Sequence, residues 1–257
     1  MASQNVIITG AASGVGLESA RRLGANGHGI VLVDVREDAL SKASETLSAE
    51  GVSVVGVVAG DVSDPATATA AVETATASGG LFGLVNSAAI VTVGTLPDLE
   101  IEQWDRIFAV NVRGTFLMMK AVIPELLKQG AGVIVNIASV DGLVSEPNLV
   151  SYCSTKGAVV QLTRGAAVDH ARAGLRINAV CPGAIDTPFF RGVVDPLPDS
   201  EALVAAVANR HPIGRMLQPA DVAAAVEFLF QPQAAAIVGS CLVVDGGLIA
   251  TWGSVSQ

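Results

Sequence analysis

Short β-branched runs alternate with longer, alanine-rich stretches along nearly the whole of this chain. Residues 5–9, 29–34, 52–58, 84–86, 132–138, 176–180 and 241–244 read as seven strands, and 14–25, 37–50, 64–78, 101–128, 152–173 and 219–230 as helices. Strand and helix taking turns leave few topologies open, because parallel strands need right-handed helical crossovers that cover the sheet. The expected class is α/β, a doubly wound, seven-stranded parallel sheet with helices on both faces. Such a sheet is buried on both sides. The composition allows it, with 51% hydrophobic and only 15% charged residues. A length of 257 residues fits one domain spanning 1–257. Residues 184–215 fit the alternation poorly. They are too long for an ordinary connection, hold Pro188, Pro196, Pro198 and Pro212, and are expected to form a lid over a substrate.

The remaining composition excludes more than it selects. Fifteen basic against 24 acidic residues give a net charge of −9, which disfavours nucleic acid and anionic membranes as partners. No uninterrupted apolar run reaches membrane-spanning length, and the opening residues lack a basic-then-apolar leader, so a cytoplasmic protein is expected. Cys153, Cys181 and Cys241, with His28, His170 and His211, show no metal-ligand spacing, and no metal is expected.

Two constellations carry chemistry. Thr9-Gly10-Ala11-Ala12-Ser13-Gly14-Val15-Gly16 joins the first strand to the first helix. Glycines there let the backbone turn tightly and approach a pyrophosphate at a helix N-terminus. A tight turn without ligand, or a methyltransferase-type nucleotide site, would use the same pattern. Asp34 ends the second strand 18 residues after Gly16. A carboxylate there can accept from both ribose hydroxyls and repels a 2′-phosphate, which favours NAD over NADP. Arg36 offers a phosphate a counter-argument, and a simple strand-end cap is the plain alternative for Asp34. The second constellation is Tyr152, the single tyrosine, four residues before Lys156. That spacing puts both on one helix face. A fixed cation favours phenolate and would lower the phenol from its ordinary pKa of about 10. Two surface residues at chance spacing would look the same.

With Asn111 and Ser139 added, the glycine turn, Tyr152 and Lys156 resemble the short-chain dehydrogenase/reductases. The resemblance extends over nearly the whole chain, through Asp61-Val62, Asn86, Pro182-Gly183 and Thr187. It implies a Rossmann domain with a tetrad of Asn111, Ser139, Tyr152 and Lys156. Tyr152 would be the general acid/base, Ser139 would hydrogen-bond the same substrate oxygen, Lys156 would depress the Tyr152 pKa and hold the nicotinamide ribose, and Asn111 would hold a water linking Lys156 to solvent. It implies NAD contacts at Gly10, Ser13, Gly14, Val15, Gly16, Asp34, Asp61, Val62, Asn86, Pro182, Gly183, Ile185 and Thr187, besides Tyr152 and Lys156. The implied activity is an NAD(H)-dependent oxidoreductase interconverting a secondary alcohol and a ketone. A 3-oxoacyl-thioester reductase of fatty-acid metabolism, a catalytically silent NAD-binding regulator, and a same-fold isomerase or lyase are the alternatives. It also implies a homotetramer, with the 246–257 segment, apolar at Leu248, Ile249 and Trp252, covering a neighbour. One departure is visible: the family has Asn-Asn-Ala-Gly where this chain has Asn86-Ser87-Ala88-Ala89. Val140, Asp141, Phe189 and Phe190 are the candidate substrate contacts, Asp141 being more readily read as a solvated loop residue. The apolar lid suggests a hydrophobic ketone or secondary alcohol.

Overall fold

The structure, a computed structural model, is described over residues 4–250. Seven strands, all parallel, form one sheet in the order β3-β2-β1-β4-β5-β6-β7. They are β1 Gln4–Thr9, β2 Gly29–Asp34, β3 Val54–Ala59, β4 Gly80–Asn86, β5 Gly132–Ile137, β6 Leu175–Pro182 and β7 Cys241–Val244. The helices are α1 Gly14–Ala25, α2 Glu37–Ala49, α3 Pro65–Ala77, α4 Ile101–Phe108, α5 Thr115–Gln129, α6 Val150–His170, α7 Pro188–Val194, α8 Ser200–Asn209 and α9 Pro219–Phe230.

Period-two alternation divides the core. Val6 and Ile8 pack with Leu23 of α1, Leu40 and Leu47 of α2 and Val226 and Leu229 of α9. Ile7, between them in sequence, faces the other side, with Ala68, Ala71 and Ala75 of α3 and Met118, Met119, Val122 and Leu126 of α5. Each strand is therefore covered twice, the condition a parallel sheet sets. The strand order reverses between β1 and β4, which opens a crevice at their C-terminal ends.

Three elements differ from expectation. Strand β4 is seven residues long, not three. Its glycines hid it, yet Gly83 is demanded by packing: a β-carbon there would lie 2.6 Å from Phe230 and 2.7 Å from the Val133 carbonyl. The helix expected over 101–128 is α4 and α5 joined by a π-helical turn at Ala109–Gly114, with Asn111 inside it. Its apolar face lies on the sheet, although the run Ile101–Gln129 is long and apolar enough by composition to cross a membrane. Residues 184–215 are not irregular, since α7 and α8 occupy most of them. Prolines masked these helices, but Pro188 stands at a helix start, where its missing N–H costs nothing. Asp64 and Pro65 open α3 as expected, the carboxylate accepting from Ala66 N at 2.9 Å. Trp252 lies outside the described residues.

Candidate active site

A cleft of about 790 Å³ lies along the C-terminal ends of the strands. Its floor begins at the β1–α1 turn. Gly10 takes φ +64°, and a β-carbon there would meet Ala88 N at 2.8 Å. Gly16 sits beneath the turn, not on the cleft wall: its β-carbon would stand 2.3 Å from the Gly10 carbonyl oxygen, so only glycine brings α1 this close. Gly10, Ser13, Gly14 and Val15 line the cleft. The Thr9 hydroxyl accepts from Ser87 N and Ala88 N at 3.0 and 3.1 Å, clamping the two strand ends together. Ala89, where the family has glycine, lines the cleft without positive φ, so no backbone strain attends the substitution.

Asp34 is 6% exposed and lines the cleft at the tip of β2. Its carboxylate accepts from Ala12 N at 3.1 Å and Arg36 N at 3.0 Å, and pairs with Arg36 Nε at 3.2 Å. Arg36 also donates to Ser13 Oγ at 2.9 Å. Farther along, Asp61 pairs with Arg106 at 2.7 Å. Burial works against its charge, but Ser63 and Arg106 hold its carboxyl below the ordinary range. Val62 packs beneath Gly114. The opposite wall carries Pro182, Gly183, Ile185 and Thr187, the last capping α7 through Phe190 N at 3.3 Å.

Asn86 supports the central strands as expected, but not the cofactor space. It is buried below the cleft and donates to Asn136 on the adjacent strand at 2.8 Å, so it joins strands and does not line the cofactor space. Asn111 is 1% exposed and also absent from the cleft wall. Its side-chain nitrogen donates to the Ile90 carbonyl and Thr155 Oγ1 at 2.9 and 3.1 Å, and its oxygen accepts from Ile90 N. With both N–H groups committed, this side chain braces the loop after β4 against α6.

The reactive centre is at the start of α6. Tyr152, Lys156 and Ser139 line the cleft together. Lys156 is 4% exposed, donates to the Ile137 carbonyl at 2.8 Å, and lies 5.5 Å from the Tyr152 ring centre. Ser139 donates to Asp141 Oδ2 at 3.2 Å and accepts from Asp141 N at 3.1 Å. Asp141 thus contacts the tetrad serine, and burial raises its pKa against the pull of Ser139. Val140, Phe189 and Phe190 complete this end, the Phe189 ring 6.3 Å from that of Tyr152.

The electrostatics reverse one expectation. Tyr152 is pushed up, not down. Burial dominates, the Asp141 charge adds to it, and a hydrogen bond with Ser139 only partly offsets them. Burial also lowers Lys156 from 10.5 to about 8. Desolvation acts on both groups and disfavours the charged form of each. On raising the pH the ammonium therefore loses its proton before the phenol ionises. At neutral pH the pair is a phenol beside an ammonium, which is a proton donor beside a group able to stabilise the phenolate as it forms.

Arg210, His211 and Leu248 also line the substrate end, and no sequence pattern marks them as site residues. Arg210 and His211 follow α8, which was not foreseen. His211 accepts from Ala184 N at 3.2 Å and its other ring nitrogen meets the Val207 carbonyl at 2.9 Å, tying α8 to the segment after β6. Leu248 lines this cleft.

Residues 10–249 match the family model described as Enoyl-(Acyl carrier protein) reductase. The 2-(S)-hydroxypropyl-CoM dehydrogenase 3 of Xanthobacter autotrophicus is 40% identical over 95% of this chain and 96% of its own length. The chain belongs to the short-chain dehydrogenase/reductase family. Cyclopentanol dehydrogenase of Comamonas sp. is 38% identical over 95% of this chain and 96% of its own. Among solved structures, the F189W actinorhodin polyketide ketoreductase with NADPH superposes with a TM-score of 0.92 at 34% identity, covering 96% of this chain and 97% of that one. Membership in the short-chain dehydrogenase/reductases makes the chain an oxidoreductase that uses a nicotinamide cofactor. The cleft suits one: the N-terminus of α1 opens on it at Gly14 and would hold a phosphate, and the buried Asp34 carboxylate would accept from ribose hydroxyls.

Proposed function

We propose that this chain interconverts a secondary alcohol and its ketone with NAD(H), Tyr152 passing the proton. The observation that carries the reading is the meeting of Tyr152, Ser139 and Lys156 on one wall of a cleft whose far end is the glycine turn. A bound nicotinamide supplies or accepts the hydride. Tyr152 gives its proton to the carbonyl oxygen in reduction and takes it back in oxidation. Ser139 steadies the same oxygen once a substrate draws its hydroxyl from Asp141. Lys156 compensates the charge that develops on the phenolic oxygen. The apolar side chains of α7 and α8, acting as a lid, exclude water from the reacting atoms. With Lys156 near 8, reduction is favoured below that pH. Oxidation is favoured above it, where the neutral amine can receive a proton through Tyr152.

The relatives named for cyclopentanol and for 2-(S)-hydroxypropyl-CoM support a secondary alcohol as substrate. NAD over NADP follows from Asp34, whose buried carboxylate opposes a 2′-phosphate. Arg36 is engaged with Asp34 and Ser13 and has to abandon both to favour the phosphate. Initial rates of cyclopentanol oxidation should give a kcat/KM with NAD about 100-fold above that with NADP, since like charges forced together cost several kcal/mol. Asp34→Ser should erase most of that preference. Equal efficiency with both cofactors would mean that Arg36 governs the pocket. A 3-oxoacyl-thioester reductase is the second reading, favoured by the description of the family model. The basic residue at the end of α5 that an acyl carrier would meet, Lys128, is paired with Glu125 at 2.7 Å.

A further inference from the structure

The substrate end of the cleft is walled mostly by apolar side chains, among them Val93, Phe189, Phe190, Leu197 and Leu203. Its charged groups are few. Asp141 and Glu146 come from the segment between β5 and α6, Arg210 from the end of α8, and Lys156 is held by the Ile137 carbonyl. Arg210 is the basic group an incoming anion would meet. It is not available: both branches of its guanidinium are filled by Glu146, Nη1 to Oε1 and Nη2 to Oε2, each at 2.6 Å. The two side chains remain part-exposed, at 50% and 31%. An ion pair so exposed adds little to stability, about 0–1 kcal/mol. Its position is more informative than its strength, because among the described residues it closes the guanidinium fork at the substrate end that could recognise a carboxylate bidentately. Asp141 stands on the same wall and adds repulsion.

We infer that Glu146 is a specificity-determining residue: by occupying Arg210 it disfavours anionic alcohols and ketones at the substrate end relative to neutral, apolar ones. The inference rests on the oxidoreductase reading above and names the substrate class of the same cleft. Glu146→Gln keeps the shape of the side chain, removes its charge, and frees Arg210 for a carboxylate.

The test compares 3-oxocyclopentanecarboxylate with its methyl ester, which share a skeleton and differ in charge. Affinity is measured by calorimetry on the full chain with NADH present, and kcat/KM by NADH consumption. The parent chain should favour the ester. Glu146→Gln should move the ester-to-acid ratio toward the acid by about tenfold in both measurements, the scale of one charge-assisted hydrogen bond at a part-exposed site. The double variant Glu146→Gln/Arg210→Gln should lose that gain, which assigns it to the guanidinium. A ratio unmoved in Glu146→Gln, a gain that persists without Arg210, or a parent chain that already prefers the acid each overturns the inference. A shifted affinity ratio with neither compound reduced supports the role of Glu146 and contradicts the oxidoreductase reading. Brisk reduction of the ester with an unmoved ratio does the reverse.

Discussion

Tyr152→Phe is expected to lower kcat for ketone reduction by about a thousandfold, within the 10²–10⁴ range of general acid–base catalysis, and to leave NADH affinity within about threefold of the parent. The substitution removes one oxygen. The ring keeps its place beside Phe189 and the Lys156 ammonium keeps its bond to Ile137. Only the proton is lost, and Ser139, whose hydroxyl is engaged with Asp141, is poorly placed to replace it. Single-turnover hydride transfer isolates the chemical step from product release, and calorimetry gives the affinity. A variant that transfers hydride at the parent rate would remove Tyr152 from the mechanism. One that has also lost NADH would turn the loss into a binding defect.

Lys156→Met should show two effects of different origin. Nζ lies 5.5 Å from the Tyr152 ring centre, and a unit charge at that distance contributes about 3 kcal/mol at an effective dielectric of about 20. Losing it should slow reduction by about a hundredfold at neutral pH. The second effect concerns stability. The folded pKa, about 8, lies below the unfolded value of 10.5. Above 10.5 neither state is charged and burial carries no penalty. Between the two values the unfolded chain binds the extra proton, and below about 8 the full penalty is in force, roughly 3 kcal/mol. The parent should therefore lose stability relative to Lys156→Met as pH falls from about 10.5 to about 8. The Ile137 carbonyl orphaned by methionine imposes a constant offset and leaves this slope unchanged. Urea unfolding of both proteins across the window measures the difference. A difference independent of pH would mean that Lys156 is hydrated in the folded chain.

What could be read from the residues beforehand was whatever repeats or sits at a fixed spacing. The alternation of β-branched and alanine-rich runs leads directly to the sheet, because a parallel strand buried twice has little room for polar residues. The glycine turn is legible because Gly10 and Gly16 answer to backbone clashes that any side chain would cause. Strand β4 was shortened in that reading because Gly83 lacks β-propensity, while its reason for being there, the ring of Phe230, is 147 residues away in sequence. The π-helical turn that directs Asn111 toward Ile90 and Thr155 leaves no mark in a periodicity of 3.6 residues. The sign of the Tyr152 shift was misjudged for a similar reason. Adjacency of a cation can be seen in a sequence, but the depth of burial that outweighs it cannot. Arg210 and Glu146 are 64 residues apart and meet only because α8 folds back over the cleft.

Tyr152 is the single tyrosine of the chain, so the near-ultraviolet absorbance of tyrosinate reports on it alone. A pH titration of the full chain without cofactor tests most directly whether its hydroxyl lies in the dry cleft beside Lys156. A buried phenol stays protonated well past the ordinary value of 10, with no tyrosinate signal at that pH. Half-ionisation near 10 would place the oxygen in water, and half-ionisation below 10 would mean that the Lys156 charge outweighs burial; either contradicts a dry phenol.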